Sequence, residues 1–233
     1  AIICVLIGFK INTASTANFI DATSRELKQV DNAMQFYINT ARLDTRLLAS
    51  HPVIRQADET ITSHSQTQSP TVLDPLKKGG LNAEIHKVFK HLHSNHPEYL
   101  EVYMGTAWGG WNSSVIGEMP AGYNPTKRAW YSETIDKDGV NMTSAYLTIS
   151  TKAAVVSLVS AVKSESGKRI GVAGVDLGLK SLTDLIGAIK IGKSGYAMLV
   201  QGDGTILANP RNPEMSFKKM DAVGVPAFAD LQK

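Results

Sequence analysis

The longest regular pattern in the chain runs from Thr13 to about Ser50 and contains neither glycine nor proline. Its apolar residues recur at intervals of three and four, which predicts one long α-helix with two apolar stripes. We expect one stripe to pack on its own domain and the other to meet a partner chain; a long core helix in a monomer is the alternative. The first stripe comprises Leu27, Val30, Met34, Tyr37, Ala41 and Leu48, and the second comprises Phe36, Leu43 and Leu47.

After this helix, which Pro52 ends, the pattern changes from helical to strand-like. Residues 81–94 still repeat at helical spacing, but from Tyr99 onwards short β-rich runs alternate with Gly–Gly and Asp–Gly turns. A short helix near Ser181 and a further hairpin from about Ile191 follow. The pattern is typical of an α+β fold, in which the long helix packs on an antiparallel sheet.

Composition and charge narrow the function classes. A net charge of +3 over 233 residues is too small to indicate a nucleic-acid partner. The chain has no glycine-rich phosphate loop and no nucleophile elbow, and the four histidines from His86 to His96 lack the spacing of a metal site. We therefore expect no metal, no cofactor and no enzyme activity, with a hydrolase using Asp176 or a histidine as the weaker alternative.

The two ends of the chain indicate a larger receptor. The apolar stretch "AIICVLIG" is too short to cross a bilayer, and we interpret it as the end of a transmembrane helix, with a buried strand as the alternative. Few residues follow the strand pattern "TILANP" that ends at Pro210, so a sheet edge there would lack a cover. This predicts an incomplete second module at the C-terminal end.

The segment "YNPTKRAWYSET" concentrates aromatic side chains around Arg128, and Asp176 interrupts a strand that otherwise reads as interior. A buried carboxylate costs several kcal/mol unless a cation or several donors meet it. A guanidinium binds carboxylates and aromatic faces accept ammonium groups, so the set predicts a receptor for a small zwitterion such as an α-amino acid. The alternatives are that Asp176 caps the helix near Ser181, or that it forms a plain salt bridge with Arg128.

These residues, with Tyr146 and the stretches "GVAGVDLGL" and "IGKSGYAMLVQGDGTILANP", resemble the double Cache (dCache) sensor domain of bacterial methyl-accepting chemotaxis receptors, in the branch that binds amino acids. The resemblance covers roughly residues 13–215 and implies a PAS-like antiparallel sheet in a membrane-distal module. A smaller, incomplete membrane-proximal module follows it. The implied divisions are 1–9 for the end of a transmembrane helix, 10–50 for the signalling and dimerisation helix, 51–190 for the distal module and 191–233 for the proximal one.

The resemblance also implies the roles of the site residues. Arg128 and Trp130 would hold the ligand carboxylate, and the ammonium would be surrounded by Tyr123, Tyr131, Tyr146 and Asp176. Thr148 stands where relatives that bind amino acids often carry a second aspartate. This departure predicts weaker binding of amino acids, or a preference for an amine or a taurine-like acid.

The implied function is a periplasmic sensor domain that binds an L-amino acid and transmits the signal across the bacterial inner membrane. Such domains dimerise through the long helix and are held by flanking transmembrane helices. The same domain on a histidine kinase or a cyclic-dinucleotide enzyme is the alternative, followed by a purely structural extracellular module.

Overall fold

The computed structural model describes residues 2–6, 13–188, 191 and 195–223 of the chain. These residues divide into two compact units, one formed by Asn39–Gly178 and the other by Ala1–Ile38 together with Leu179–Lys233. The helices of the described residues are α1 (Thr13–Ser50), α2 (Pro75–Lys78), α3 (Gly80–Asn95), α4 (Ala129–Ser132) and α5 (Leu179–Gly187). The strands are β1 (Ile2–Leu6), β2 (Thr71–Leu73), β3 (Tyr99–Thr106), β4 (Trp111–Ser113), β5 (Gly117–Met119), β6 (Val140–Met142), β7 (Tyr146–Leu147), β8 (Ala154–Lys163), β9 (Arg169–Gly178), β10 (Ala197–Gln201) and β11 (Ile206–Ala208).

Helix α1 confirms the long unbroken helix that the sequence pattern predicts. Of its first apolar stripe, Val30, Met34, Ala41 and Leu48 are buried, and Leu27 and Tyr37 are half-buried. The second stripe lies on the opposite side of the helix and faces solvent, with exposed fractions of 76% for Phe36, 56% for Leu43 and 65% for Leu47. The helix therefore buries one apolar stripe within its own chain and exposes the other apolar stripe to solvent.

The sheet of the Asn39–Gly178 unit is antiparallel and has the order β4-β3-β9-β8-β6, with β7 also paired to β8. Its central strands β8 and β9 are buried along nearly their whole length, as expected from their runs of Val, Ala and Leu. The last turns of α1 lie against this sheet. There the Thr45 hydroxyl donates to the Leu158 carbonyl at 3.3 Å, and the Tyr99 hydroxyl donates to Asp44 at 2.6 Å.

In the other unit β1, β10 and β11 form a three-stranded antiparallel sheet with β10 in the middle. The interpretation of residues 1–9 as the end of a transmembrane helix therefore does not hold for residues 2–6, which adopt the alternative, a strand. The physical reason is that β-branched residues such as Ile2, Ile3 and Val5 favour extended backbone, and this segment pairs with β10 along the edge that β11 does not occupy. Residues 1 and 7–9 lie outside the described residues. No described helix combines the length and the apolar character that a membrane span requires.

The division between the units also differs from the predicted boundary between residues 190 and 191. The chain divides after Gly178, because α5 packs on β10 and β11 and so belongs with the second unit. Of the predicted 10–50 helix, residues 10–12 lie outside the described residues, and the remainder is α1.

Candidate ligand-binding site

One pocket on the sheet of the Asn39–Gly178 unit contains most of the candidate residues. About 310 Å³ of it is free of protein atoms, counted out to its opening to solvent. The pocket is lined by Glu101, Tyr103, Trp111, Met119, Tyr123, Arg128, Trp130, Tyr146, Thr148, Ile149, Ser150 and Asp176.

The floor of the pocket carries two carboxyl groups side by side. In the sheet, Asp176 on β9 is the direct cross-strand partner of Glu101 on β3 and of Ser157 on β8. Directly opposed residues of neighbouring antiparallel strands project from the same face, so these three side chains form one row. Only 2% of Asp176 and 5% of Glu101 is exposed.

Asp176 is held by hydroxyl groups of the sheet. Ser157 donates to its Oδ1 at 2.5 Å, and Tyr146 donates to the same oxygen at 3.4 Å while also contacting the Ser157 hydroxyl at 2.9 Å. Burial raises the pKa of Asp176 to about 6, although these hydrogen bonds act in the opposite direction. The carboxylate thus bonds within the sheet, which is not the arrangement of a cap on α5.

Glu101 is a pocket residue that the sequence analysis missed. Its carboxylate accepts hydrogen bonds from the hydroxyls of Ser113 and Ser150. Burial, followed by the negative charge of Asp176, raises the pKa of Glu101 to about 7. The signal for this residue was present in "YLEVYMG", where a glutamate interrupts an apolar strand in the same way as Asp176.

Aromatic rings form the wall above this floor. Tyr103 stacks on Trp111 with 5.0 Å between ring centroids, and Trp130 meets Tyr103 edge-on at the same distance. Tyr123 packs edge-on against Trp111 at 5.5 Å. Gly174 makes room for this wall, because a Cβ there would lie 2.8 Å from the Tyr103 ring.

The hydroxyl of Tyr103 is unusual. Only 1% of Tyr103 is exposed, and its hydroxyl lies within hydrogen-bonding reach of Tyr146, Ser157 and Asp176. Burial and the neighbouring charge of Asp176 raise its pKa well above the ordinary value, so it stays protonated.

A short segment places Arg128 and Trp130 at the pocket. The Asn124 side chain accepts hydrogen bonds from the Thr126 amide at 3.0 Å and the Thr126 hydroxyl at 2.8 Å, which fixes a 3-10 turn over Pro125–Lys127. Arg128 then adopts extended backbone before α4 begins at Ala129. The turn packs on bare backbone, since a Cβ at Gly105 would lie 2.6 Å from Pro125 and 2.8 Å from Trp130.

Comparison with known proteins identifies the family. The Cache domain model dCache_1 matches residues 11–230 of the chain. The chain belongs to this Cache-domain family. The dCache resemblance predicted from the sequence is therefore confirmed at the level of the family.

Relatives and solved structures agree with this assignment. Methyl-accepting chemotaxis protein McpG of Pseudomonas putida is 36% identical over 112 residues, which are 48% of this chain and 17% of McpG. The ligand-binding domain of the Pseudomonas fluorescens chemoreceptor CtaA, in complex with L-serine, matches with a TM-score of 0.68 at 22% identity and covers 89% of this chain and 79% of that chain. The domain of the Pseudomonas aeruginosa amino acid chemoreceptor PctC, in complex with GABA, gives 0.65 at 22% identity, with 90% and 83% covered. The chain spans less than a fifth of the chemotaxis protein McpG.

Six of the seven predicted site residues line the pocket of this Cache domain, namely Tyr123, Arg128, Trp130, Tyr146, Thr148 and Asp176. Tyr131 does not line it. Its ring packs edge-on against Trp130 at 5.7 Å on the far side, and burial raises its pKa to about 12. Consecutive residues of a helix point about 100° apart, so Trp130 and Tyr131 on α4 do not face the same pocket.

Thr148 lines the pocket but is engaged within its own loop. Its hydroxyl lies 2.8 Å from the Thr151 hydroxyl and accepts a hydrogen bond from the Ala153 amide at 3.2 Å. It contributes polarity but no charge to the pocket.

The charges of the Cache-domain pocket lie on separate side chains. Among the described residues no ion pair joins Arg128 to Asp176, and none involves Glu101. A plain salt bridge between Arg128 and Asp176 is therefore not what the structure contains. Within the described ranges, no group of three or more His, Cys, Asp and Glu side chains is placed to hold a metal ion. The pocket thus offers one guanidinium and two carboxyl groups for which the described chain supplies no ionic partner.

Proposed function

We propose that this Cache domain is the periplasmic sensor domain of a bacterial chemoreceptor and that its pocket binds a small zwitterion, in the first place an L-amino acid. One observation carries the proposal: Arg128 and the buried Asp176 line the same pocket, and neither has an ionic partner among the described residues. A ligand with one carboxylate and one ammonium satisfies both. The complexes of CtaA with L-serine and of PctC with GABA support the same ligand class.

The binding mode follows from the separation of these charges. The ligand carboxylate lies at the Arg128 fork beside Trp130, and its ammonium lies over the floor near Asp176, Tyr146 and Tyr123. A bound ammonium favours the ionised carboxylate, so it reverses the effect of burial on the pKa of Asp176. The aromatic wall excludes water and strengthens both interactions.

The similarity to methyl-accepting chemotaxis proteins supports a receptor that is anchored in the inner membrane by flanking transmembrane helices. The similarity favours chemotaxis signalling over signalling through a histidine kinase or a cyclic-dinucleotide enzyme. It also favours a sensor domain over an enzyme. The exposed stripe of Phe36, Leu43 and Leu47 supports a homodimer through α1, because an apolar line on a long helix is the usual surface for a partner helix.

A thermal-shift screen tests the ligand class. At one hundred times its dissociation constant a ligand adds about 2.7 kcal/mol to the free energy of unfolding, which corresponds to roughly 5–10 °C for a chain of this size. The screen covers the L-amino acids and taurine. L-valine is accompanied by two controls that each lack one charge, isobutylamine and 3-methylbutanoate.

We expect an amino acid to shift the melting temperature and its one-charge controls to leave it unchanged. A shift with amines alone would contradict the carboxylate site at Arg128. No shift with any amino acid or with taurine would overturn the proposal.

A further inference from the structure

We propose that Glu101 is a ligand-binding residue that selects a second cationic group, so that the pocket takes a diamino monocarboxylic acid of the lysine or ornithine class. The inference rests on the proposed function, because it places the α-carboxylate at Arg128 and the α-ammonium at Asp176. It goes beyond that function in assigning the charge and length of the ligand side chain.

The first support is geometric. Glu101 and Asp176 are direct cross-strand partners, both line the pocket, and both are at least 95% buried. Opposed side chains have Cβ atoms about 4.5–5.5 Å apart, so two separate cations can each meet one carboxylate.

The second support is the charge balance. A zwitterion neutralises Arg128 and Asp176 but leaves Glu101, whose hydrogen-bond partners among the described residues are the neutral hydroxyls of Ser113 and Ser150. An ionised carboxylate buried without a counter-charge is strongly unfavourable. A ligand with one negative and two positive groups balances all three side chains.

The third support is the shape of the surrounding space. A second cavity adjoins the first and shares Glu101, Trp111, Met119 and Ser150 with it. Glu101 therefore stands where the two cavities meet. The shared Trp111 and Met119 offer apolar surface for the methylene groups of a ligand, and Glu101 lies at the position that a terminal ammonium would reach.

Calorimetric titration of the chain with L-lysine, L-ornithine and L-norleucine tests the inference. Norleucine matches the carbon chain of lysine and lacks only the terminal ammonium. We expect the parent to bind lysine or ornithine at least about tenfold more tightly than norleucine. In Glu101→Gln this preference should disappear. Glu118→Gln, at an exposed position on the neighbouring β5, serves as the control and should keep the preference.

Equal binding of lysine and norleucine by the parent would overturn the inference, and this comparison does not depend on any variant folding. A preference retained in Glu101→Gln would overturn it as well. Norleucine binding without selectivity contradicts the role of Glu101 and leaves the proposed amino acid site standing. A chain that binds none of the amino acids of the screen contradicts both.

Discussion

At the scale of single residues, the site depends on two carboxyl groups that folding buries next to each other. Burial raises the pKa of Asp176 to about 6 and that of Glu101 to about 7, from ordinary values of 3.8 and 4.5. Each unit of such a shift corresponds to about 1.4 kcal/mol between the two protonation states. Burial thus favours the acidic forms in the ligand-free fold, whereas a cationic ligand favours the ionised ones.

The same shifts predict how the stability of the ligand-free domain depends on pH. The folded pKa values lie above the unfolded ones, so the folded state binds more protons between about pH 4 and pH 7. The contribution of these two groups is fully present only below their unfolded pKa values of 3.8 and 4.5 and is lost as the pH rises through about 6 and 7. Urea unfolding at pH 5 and pH 8 should show a decrease on the order of a few kcal/mol from this pair. Glu101→Gln and Asp176→Asn should each show a smaller decrease in the free energy of unfolding between pH 5 and pH 8 than the parent does. If both variants showed the same decrease as the parent, these pKa values would be contradicted.

Gly174→Ala tests the packing of the aromatic wall on the floor. The added methyl would lie 2.8 Å from both the Tyr103 ring and Val159, so Tyr103 must move. We expect a loss of about 1–3 kcal/mol in the free energy of unfolding together with weaker ligand binding. Gly117→Ala is the control for stability, because its added methyl meets nothing within 4 Å. Unchanged stability and binding in Gly174→Ala would show that Tyr103 does not depend on this close approach.

At the scale of elements, part of the molecule follows from the sequence pattern. The periodicity of α1 and the isolated charge of Asp176 can be read without a structure, because both depend on local spacing. Glu101 escaped prediction because its role depends on which residue faces it across β3 and β9, and pairing register is not visible in one strand. Tyr131 was assigned to the pocket from the family resemblance, and the short helix α4, whose turn separates Tyr131 from Trp130, leaves no periodic signal in the sequence that could have corrected this.

The turn that positions Arg128 provides a prediction at this scale. Asn124→Ala removes the hydrogen bonds from the amide and hydroxyl of Thr126, so the turn and Arg128 lose their fixed orientation. We expect about 1 kcal/mol less stability and a several-fold loss of ligand affinity. Asp58→Ala removes the same pair of bonds to Thr60 outside the pocket and should lower stability without affecting binding. Equal effects of both variants on affinity would contradict the positioning role of Asn124.

At the scale of the whole molecule, the chain contains two units whose limits the sequence did not define. The strand β1 belongs with β10 through pairing between segments far apart in the chain, and the helix α5 belongs with β10 and β11 through packing. Long-range contacts of this kind leave no periodic signal at the boundary itself. The exposed stripe of α1, in contrast, was visible as a pattern before its exposure was known.

On the proposed function, the exposed stripe meets its counterpart in a second chain. Cysteines at Leu43 and Leu47 should therefore cross-link between chains in membranes that contain the intact receptor. Gln35→Cys, at an exposed position away from the stripe, is the control and should cross-link far less. Equal cross-linking at Gln35 and Leu47 in membranes would contradict a dimer through this stripe.

The central claim is that Arg128 and Asp176, which line one pocket, bind the carboxylate and the ammonium of an amino acid. Calorimetric titration of the best ligand into the parent, Arg128→Ala and Asp176→Asn tests it most directly, with the exposed neighbour Lys127→Ala as control. We predict that Arg128→Ala abolishes binding, that Asp176→Asn loses about 2–4 kcal/mol, or roughly 30- to 1,000-fold in affinity, and that Lys127→Ala binds as the parent does. All three variants should remain folded. If Asp176→Asn binds the same amino acid as tightly as the parent, the pocket does not recognise an ammonium at Asp176 and the account is wrong.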